Sequence, residues 1–174
     1  MADVYNPLDK ANLGKSVADA LLEQSPVALN DVQRFEGAGI YAIYYHGDFA
    51  AYRPLAEANR HGSRWPIYVG KAIPSGGRKG VSLTASARGT SLFNRLAEHR
   101  ESVRAVEGSG IRGDDFTVRF LVVDDTWIPL GESLLLAAFR PLWNVRVDGF
   151  GNHDPGKGRY KGVNRPGFSG GGFI

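Results

Sequence analysis

The chain has 174 residues, 43% hydrophobic and 22% charged, and carries a net charge of +3 with no cysteine. That length and balance predict one globular domain and exclude a wholly disordered chain, while the missing thiols exclude a disulfide or zinc-thiolate scaffold. No apolar run approaches the ~18 residues of a membrane span and no signal-peptide core is visible, so a cytoplasmic location without membrane association is expected.

In chain order, Asn12 to Gln24 places Leu13, Val17, Ala20 and Leu21 at helical spacing and stops before Pro26, which predicts an N-terminal helix. Gly39 to Tyr45 (GIYAIYY) and Trp65 to Lys71 (WPIYVGK) are β-branched and aromatic and read as strands. Between them, Arg53 to Asn59 reads as a short helix started by Pro54. Ala72 to Arg88 is too rich in Gly and Ser for either and reads as a long loop. Ser91 to Val106 aligns Leu92, Leu96, His99 and Val103 on one helical face, with Ser91 as the expected N-cap. Phe116 to Val123 reads as a third strand, and Ile128 to Phe139 as an apolar helix ended by Pro141. Val145 and Val147 suit a short strand or an extended exit. The sum is an α+β fold with a small sheet covered by helices.

The charge is segregated. Residues 71–104 carry 7 basic and 2 acidic groups, and residues 149–174 carry 4 and 1, while both other stretches are net negative. Nine of the 23 glycines fall in the last 26 residues, which read as an extended basic arm. Concentrated positive charge of this kind suits an anionic partner.

Several residues need an explanation beyond packing. Glu132 lies beside the apolar stripe of its helix, where an ionised carboxylate is costly unless it is paired, bound to a metal or favoured by the helix N-terminus. Mg²⁺ often takes only one or two protein carboxylates and completes its shell with water and phosphate oxygens, so one acid is sufficient only with phosphate present. Arg95 and His99 are one turn apart; they read either as a surface arginine beside a core histidine, or as a phosphate clamp beside a proton carrier. Tyr41 and Tyr68 are central in their strands and read as packing residues, or as hydroxyls able to handle a proton where a cation such as Lys71 lowers their pKa. A P-loop, a His-x-x-x-His metal pair and a Gly-x-Ser-x-Gly elbow are all absent from the sequence.

Taken together, Gly39-Ile40-Tyr41, Tyr68-Val69-Gly70, Arg95 and His99 on one helix, Glu132 on a later one, and then Asn144 resemble the GIY-YIG nuclease superfamily. The long insert between Tyr41 and Tyr68, the basic loop before Arg95 and the Arg95-x-x-x-His99 pair resemble the type II restriction endonucleases that cut the palindrome CCGCGG. The second tripeptide is Tyr-Val-Gly where the family has Tyr-Ile-Gly, a loss of one methylene at an apolar position. Tyr44-Tyr45 follows the first motif, so the tyrosine role is assigned to Tyr41 by its third position in Gly-Ile-Tyr.

The resemblance implies a three-stranded antiparallel sheet flanked by helices in a single domain, with residues 1–38 a helical extension, 39–148 the catalytic core and 149–174 the arm. It implies DNA phosphodiester hydrolysis by in-line attack of water, with Mg²⁺ (Mn²⁺ able to substitute) held by Glu132 and no organic cofactor. Arg95 would contact the scissile phosphate. Tyr41 would take the proton from water, with Lys71 or His99 lowering its pKa or sharing the task. Tyr68 would position the water or phosphate, and Asn144 would bond near the phosphate or Tyr68. Base and backbone contacts to double-stranded DNA would come from Arg78, Lys79 and Arg88 in the loop and Lys157, Arg159, Lys161 and Arg165 in the arm. A palindrome cut on both strands implies a homodimer, with the N-terminal helix, the Phe49–Arg64 insert or the arm contributing. A structure-specific repair nuclease of the same superfamily, and a DNA-binding module without catalysis, are the alternatives.

Overall fold

In the computed structural model, residues 6–74 and 89–146 are described. Four strands form one antiparallel sheet in the order β1-β4-β2-β3: β1 (Val27–Ala28), β2 (Gly39–Tyr45), β3 (Tyr68–Ala72) and β4 (Phe116–Val122). The sequence reading expected three; β1 is only two residues long, too short to leave a pattern, and is defined by its pairing of Val27 with Val118 and Ala28 with Thr117.

Strand β2 sits between β3 and β4, and all seven of its residues are buried. That explains its uninterrupted apolar run, because both of its faces are covered and neither can be polar. Tyr41, Ile43 and Tyr45 point into one cluster with Tyr68, Leu92, Leu96, Phe116 and Trp143. Ile40, Ala42 and Tyr44 point into the other with Ala18, Leu21, Val69, Ile128 and Leu135. The first face is covered by α3 (Ser91–Arg104), the second by α1 (Lys10–Leu22) and α4 (Ile128–Phe139). Helices α1 and α4 approach closely at two glycines. A Cβ on Gly14 would come 2.6 Å from Leu134 Cδ1, and one on Gly131 would come 2.7 Å from Val17 Cγ1.

The insert between β2 and β3 holds a 3₁₀ turn (Ala50–Tyr52) and α2 (Arg53–Ala58). Buried Asn59 ties its end to the sheet: Nδ2 donates to the carbonyls of Tyr45 and Trp65, and Oδ1 accepts from the amides of Arg64 and Trp65. Two local expectations are corrected. The N-cap of α3 is Thr90, with Ser91 already inside the helix and no side-chain cap bond formed. Val145 belongs to a fifth helix, α5 (Leu142–Arg146), because Pro141 ends α4 and supplies a fixed φ from which a new turn starts. Val147, most of the 72–88 loop and the 149–174 arm lie outside the described residues, as do Arg78, Lys79, Arg88, Lys157, Arg159, Lys161 and Arg165. No helix among the described residues is long and apolar enough to cross a membrane.

Candidate active site

Strand alternation sorts the candidate residues onto two faces of β3 and β2. Tyr41 pairs across the ladder with Gly70, and Ile43 with Tyr68, so both tyrosines project toward α3. His99 meets them there: the Tyr41 hydroxyl and His99 Nε2 share a hydrogen bond of 2.7 Å, and the Tyr68 and His99 rings lie 5.0 Å apart. One turn earlier on α3 stands Arg95, mostly covered, with an Nη1 bond of 2.6 Å to Glu98 Oε2. Glu98 was not anticipated, although its i,i+3 spacing from Arg95 is the pattern of a helical ion pair.

Electrostatics fix the protonation states of this cluster. Burial, reinforced by the Arg95 cation, holds His99 down to about 3, so its ring is neutral where it meets the Tyr41 hydroxyl. Burial pushes the Tyr41 hydroxyl well above its ordinary value, with the Tyr68 oxygen adding to it, while Arg95 pulls the other way. Tyr41 is fully buried and His99 and Tyr68 nearly so. Lowering of the Tyr41 pKa by Lys71 or His99 is therefore corrected: the cation acting on Tyr41 is Arg95, and burial outweighs it.

Two motif glycines have a steric reason. A Cβ at Gly70 would come 2.5 Å from the Tyr41 oxygen and 2.8 Å from Tyr68 Cε1, so the bare α-carbon makes room for the tyrosine pair. A Cβ at Gly39 would overlap the carbonyl oxygen of Leu121 on the neighbouring strand. The following tyrosines do other work. Tyr44 faces the opposite layer with the Arg119 guanidinium 5.1 Å from its ring centre, and the Tyr45 hydroxyl accepts from the Phe49 amide.

Lys71 falls on the α4 side of β3, where its Nζ donates to Glu132 Oε2 at 2.6 Å. Glu132 lies in the second turn of α4, beyond reach of the N-terminal explanation, and the ion pair accounts for its place beside an apolar stripe. The Lys71 and Glu132 side chains keep 36% and 16% of their surface exposed, so this pair sits at a rim. Among the described residues Glu132 Oε1 has no protein partner. No group of three or more His, Cys, Asp or Glu is assembled there. One partly exposed carboxylate with an open oxygen fits a Mg²⁺ ion whose other ligands are water and phosphate, and does not fit a resident structural metal.

Asn144, on α5, closes the arrangement from the edge of the sheet. Its Oδ1 accepts from the Val69 amide at 2.9 Å and its Nδ2 donates to the Val69 carbonyl at 2.8 Å. Both of these bonds go to the residue after Tyr68, holding β3 from outside.

A sheet whose adjacent strands carry Gly-Ile-Tyr and Tyr-Val-Gly, with Arg and His on the helix covering one face and Glu on the helix covering the other, is that of a GIY-YIG nuclease domain. The family model of the Eco29kI GIY-YIG domain matches residues 33–166, about three quarters of the chain. The chain belongs to this family of GIY-YIG restriction endonucleases. No curated protein is significantly similar to it over its sequence.

Proposed function

We propose that this protein is a type II restriction endonuclease that hydrolyses DNA at a short GC-rich palindrome, CCGCGG being the first sequence to test, as a homodimer with Mg²⁺. The observation that carries the reading is the Tyr41–His99 hydrogen bond beside Arg95, with Glu132 on the helix that covers the opposite face of β2 and β3. With the scissile phosphate docked, Arg95 exchanges part of its contact with Glu98 for a phosphate oxygen and opposes charge developing in the transition state. Tyr41 takes a proton from the attacking water as its own passes to His99 Nε2, so the hydroxyl ends neutral and the docked phosphate's negative charge offsets the repulsion between Arg95 and the imidazolium formed. Because Tyr41 is closed to bulk water, this step requires the site to open around the duplex. Tyr68 orients the water or phosphate, and Asn144 holds β3 so that Tyr68 keeps its place. Glu132 would hold Mg²⁺ through Oε1, where the ion supplies Lewis-acid stabilisation of the leaving 3′ oxygen. Lys71 keeps the carboxylate aimed.

Plasmid of known sequence, digested with Mg²⁺ or Mn²⁺ and sequenced at its new ends, tests activity, target and cut position together. Discrete fragments ending at one palindrome are expected. Nicking of flaps or branches with the plasmid intact would place the enzyme among repair nucleases, and binding without cleavage would leave a DNA-binding module.

A further inference from the structure

Helix α4 and its cap contain two ionisable side chains, Glu132 and Arg140, and the second has no place in the chemistry above. Arg140 caps α4 with φ 45° and ψ 58°, the left-handed conformation, and is the one non-glycine residue with positive φ among the described residues. Glycine or asparagine is the usual occupant of such a position, because a Cβ there crowds the backbone. Pro141 adds a second restriction, since the residue before proline is driven toward extended conformations. The backbone geometry thus argues against arginine here on two counts, which points to the side chain as the reason for its presence.

That side chain is exposed and has no ion-pair or hydrogen-bond partner among the described residues. It borders a depression of about 500 Å³ lined with Leu136, Ala137, Pro141, Asn144 and Val145. Among the described residues no acid lines it, and Arg140 is its only charge. The depression adjoins the site on two sides: Leu136 is one turn after Glu132, and Asn144 holds the β3 edge at Val69, two residues from Lys71. Eight residues of helix separate Glu132 from Arg140, about 12 Å of rise, the span of a few nucleotides along one DNA strand.

From this arrangement we infer that Arg140 is a DNA-positioning residue, binding a backbone phosphate a few steps along the strand whose scissile phosphate faces Glu132, with the apolar floor against the sugar. The inference rests on the nuclease reading and adds a contact to it. It accounts for an arginine kept where glycine is easier, and for a depression with an apolar floor and one unpaired cation.

The test measures duplex binding by the full chain with EDTA present, using a fluorescein-labelled duplex of ~30 base pairs, across a salt series. Arg140→Gly is expected to keep or raise the melting temperature, to weaken binding severalfold, and to make the slope of log K against log[salt] shallower by about 0.9, the value of one phosphate contact. Arg140→Lys should keep most of the slope. An unchanged slope in Arg140→Gly would overturn the inference, and so would a melting temperature several degrees lower, which would make the arginine a structural cap. If the wild-type chain binds no duplex at all, the nuclease reading itself fails; if it binds and cleaves while Arg140→Gly is indistinguishable from it, only the role of Arg140 is lost.

Discussion

The two faces of β3 hold two kinds of polar chemistry separated by one residue of strand. Toward α3 lie Tyr41, Tyr68 and His99, all buried, with Tyr41 and His99 joined by a short hydrogen bond. Toward α4 lies a charged pair, Lys71 and Glu132, at the rim and partly open to water. The contrast separates the tasks of a hydrolytic site. In the proposed reaction a proton would be handled where burial and one fixed cation act on the pKa values, and exchangeable partners would be held where a carboxylate can give up a contact without being stranded in an apolar interior.

The largest expected effect comes from removing the charge on the open face. Glu132→Gln should abolish plasmid cleavage even with enzyme in excess, while duplex binding persists and the melting temperature changes by only a few degrees, since a rim ion pair contributes little to stability. Cleavage at the wild-type rate would remove Glu132 from the chemistry.

On the closed face, activity and stability should fall together. Tyr41→Phe and His99→Ala are each expected to slow single-turnover cleavage by roughly 10²–10⁴ and to cost about 1–3 kcal/mol, because each leaves a buried polar partner unsatisfied. His99 also predicts a pH dependence of definite sign. Its folded pKa, near 3, lies below the unfolded value of ~6.5. Its contribution to stability is therefore fully present above pH ~6.5 and is lost as the pH falls toward 3, at up to about 1.4 kcal/mol per pH unit. Urea titrations at pH 7 and pH 5 should show a shallower loss for His99→Gln than for wild type; equal losses would contradict a neutral buried ring.

The smallest effect is steric and sharpens the role of Gly70. Gly70→Ala should lower stability by about 1–3 kcal/mol through overpacking against the Tyr41 hydroxyl and the Tyr68 ring. Adding Tyr41→Phe, which deletes the hydroxyl, should restore part of that stability and none of the cleavage. Failure of the double variant to recover would place the strain elsewhere.

Much of this architecture was legible in the sequence because the central elements carry strong patterns. Gly39–Tyr45 and Ile128–Phe139 appear with the limits that composition and Pro141 suggested. The α3 cluster was legible in part, since Arg95 and His99 share a helical face, whereas the meeting of Tyr41 with Tyr68 depends on the β2–β3 register. The Lys71–Glu132 pair was not, because it joins residues 61 positions apart and depends on which face of β3 meets α4. Burial reversed the expected direction for Tyr41: a nearby cation can be read from spacing, but the desolvation opposing it depends on the packed fold. Strand β1 and helix α5 were missed for their brevity, two and five residues, and are maintained by tertiary contacts more than by propensity.

Strand β3 ends the sheet, and an outer strand with unpaired amides and carbonyls invites another chain to add itself there. Asn144 answers both groups of Val69 with one amide, doing with a side chain what an added strand would do with its backbone. A carboxylate at that position could accept but not donate, and would leave the Val69 carbonyl open. The residue that steadies β3 beside Tyr68 is thus also a guard against self-association, so its loss would register as aggregation on refolding as well as in slower cleavage.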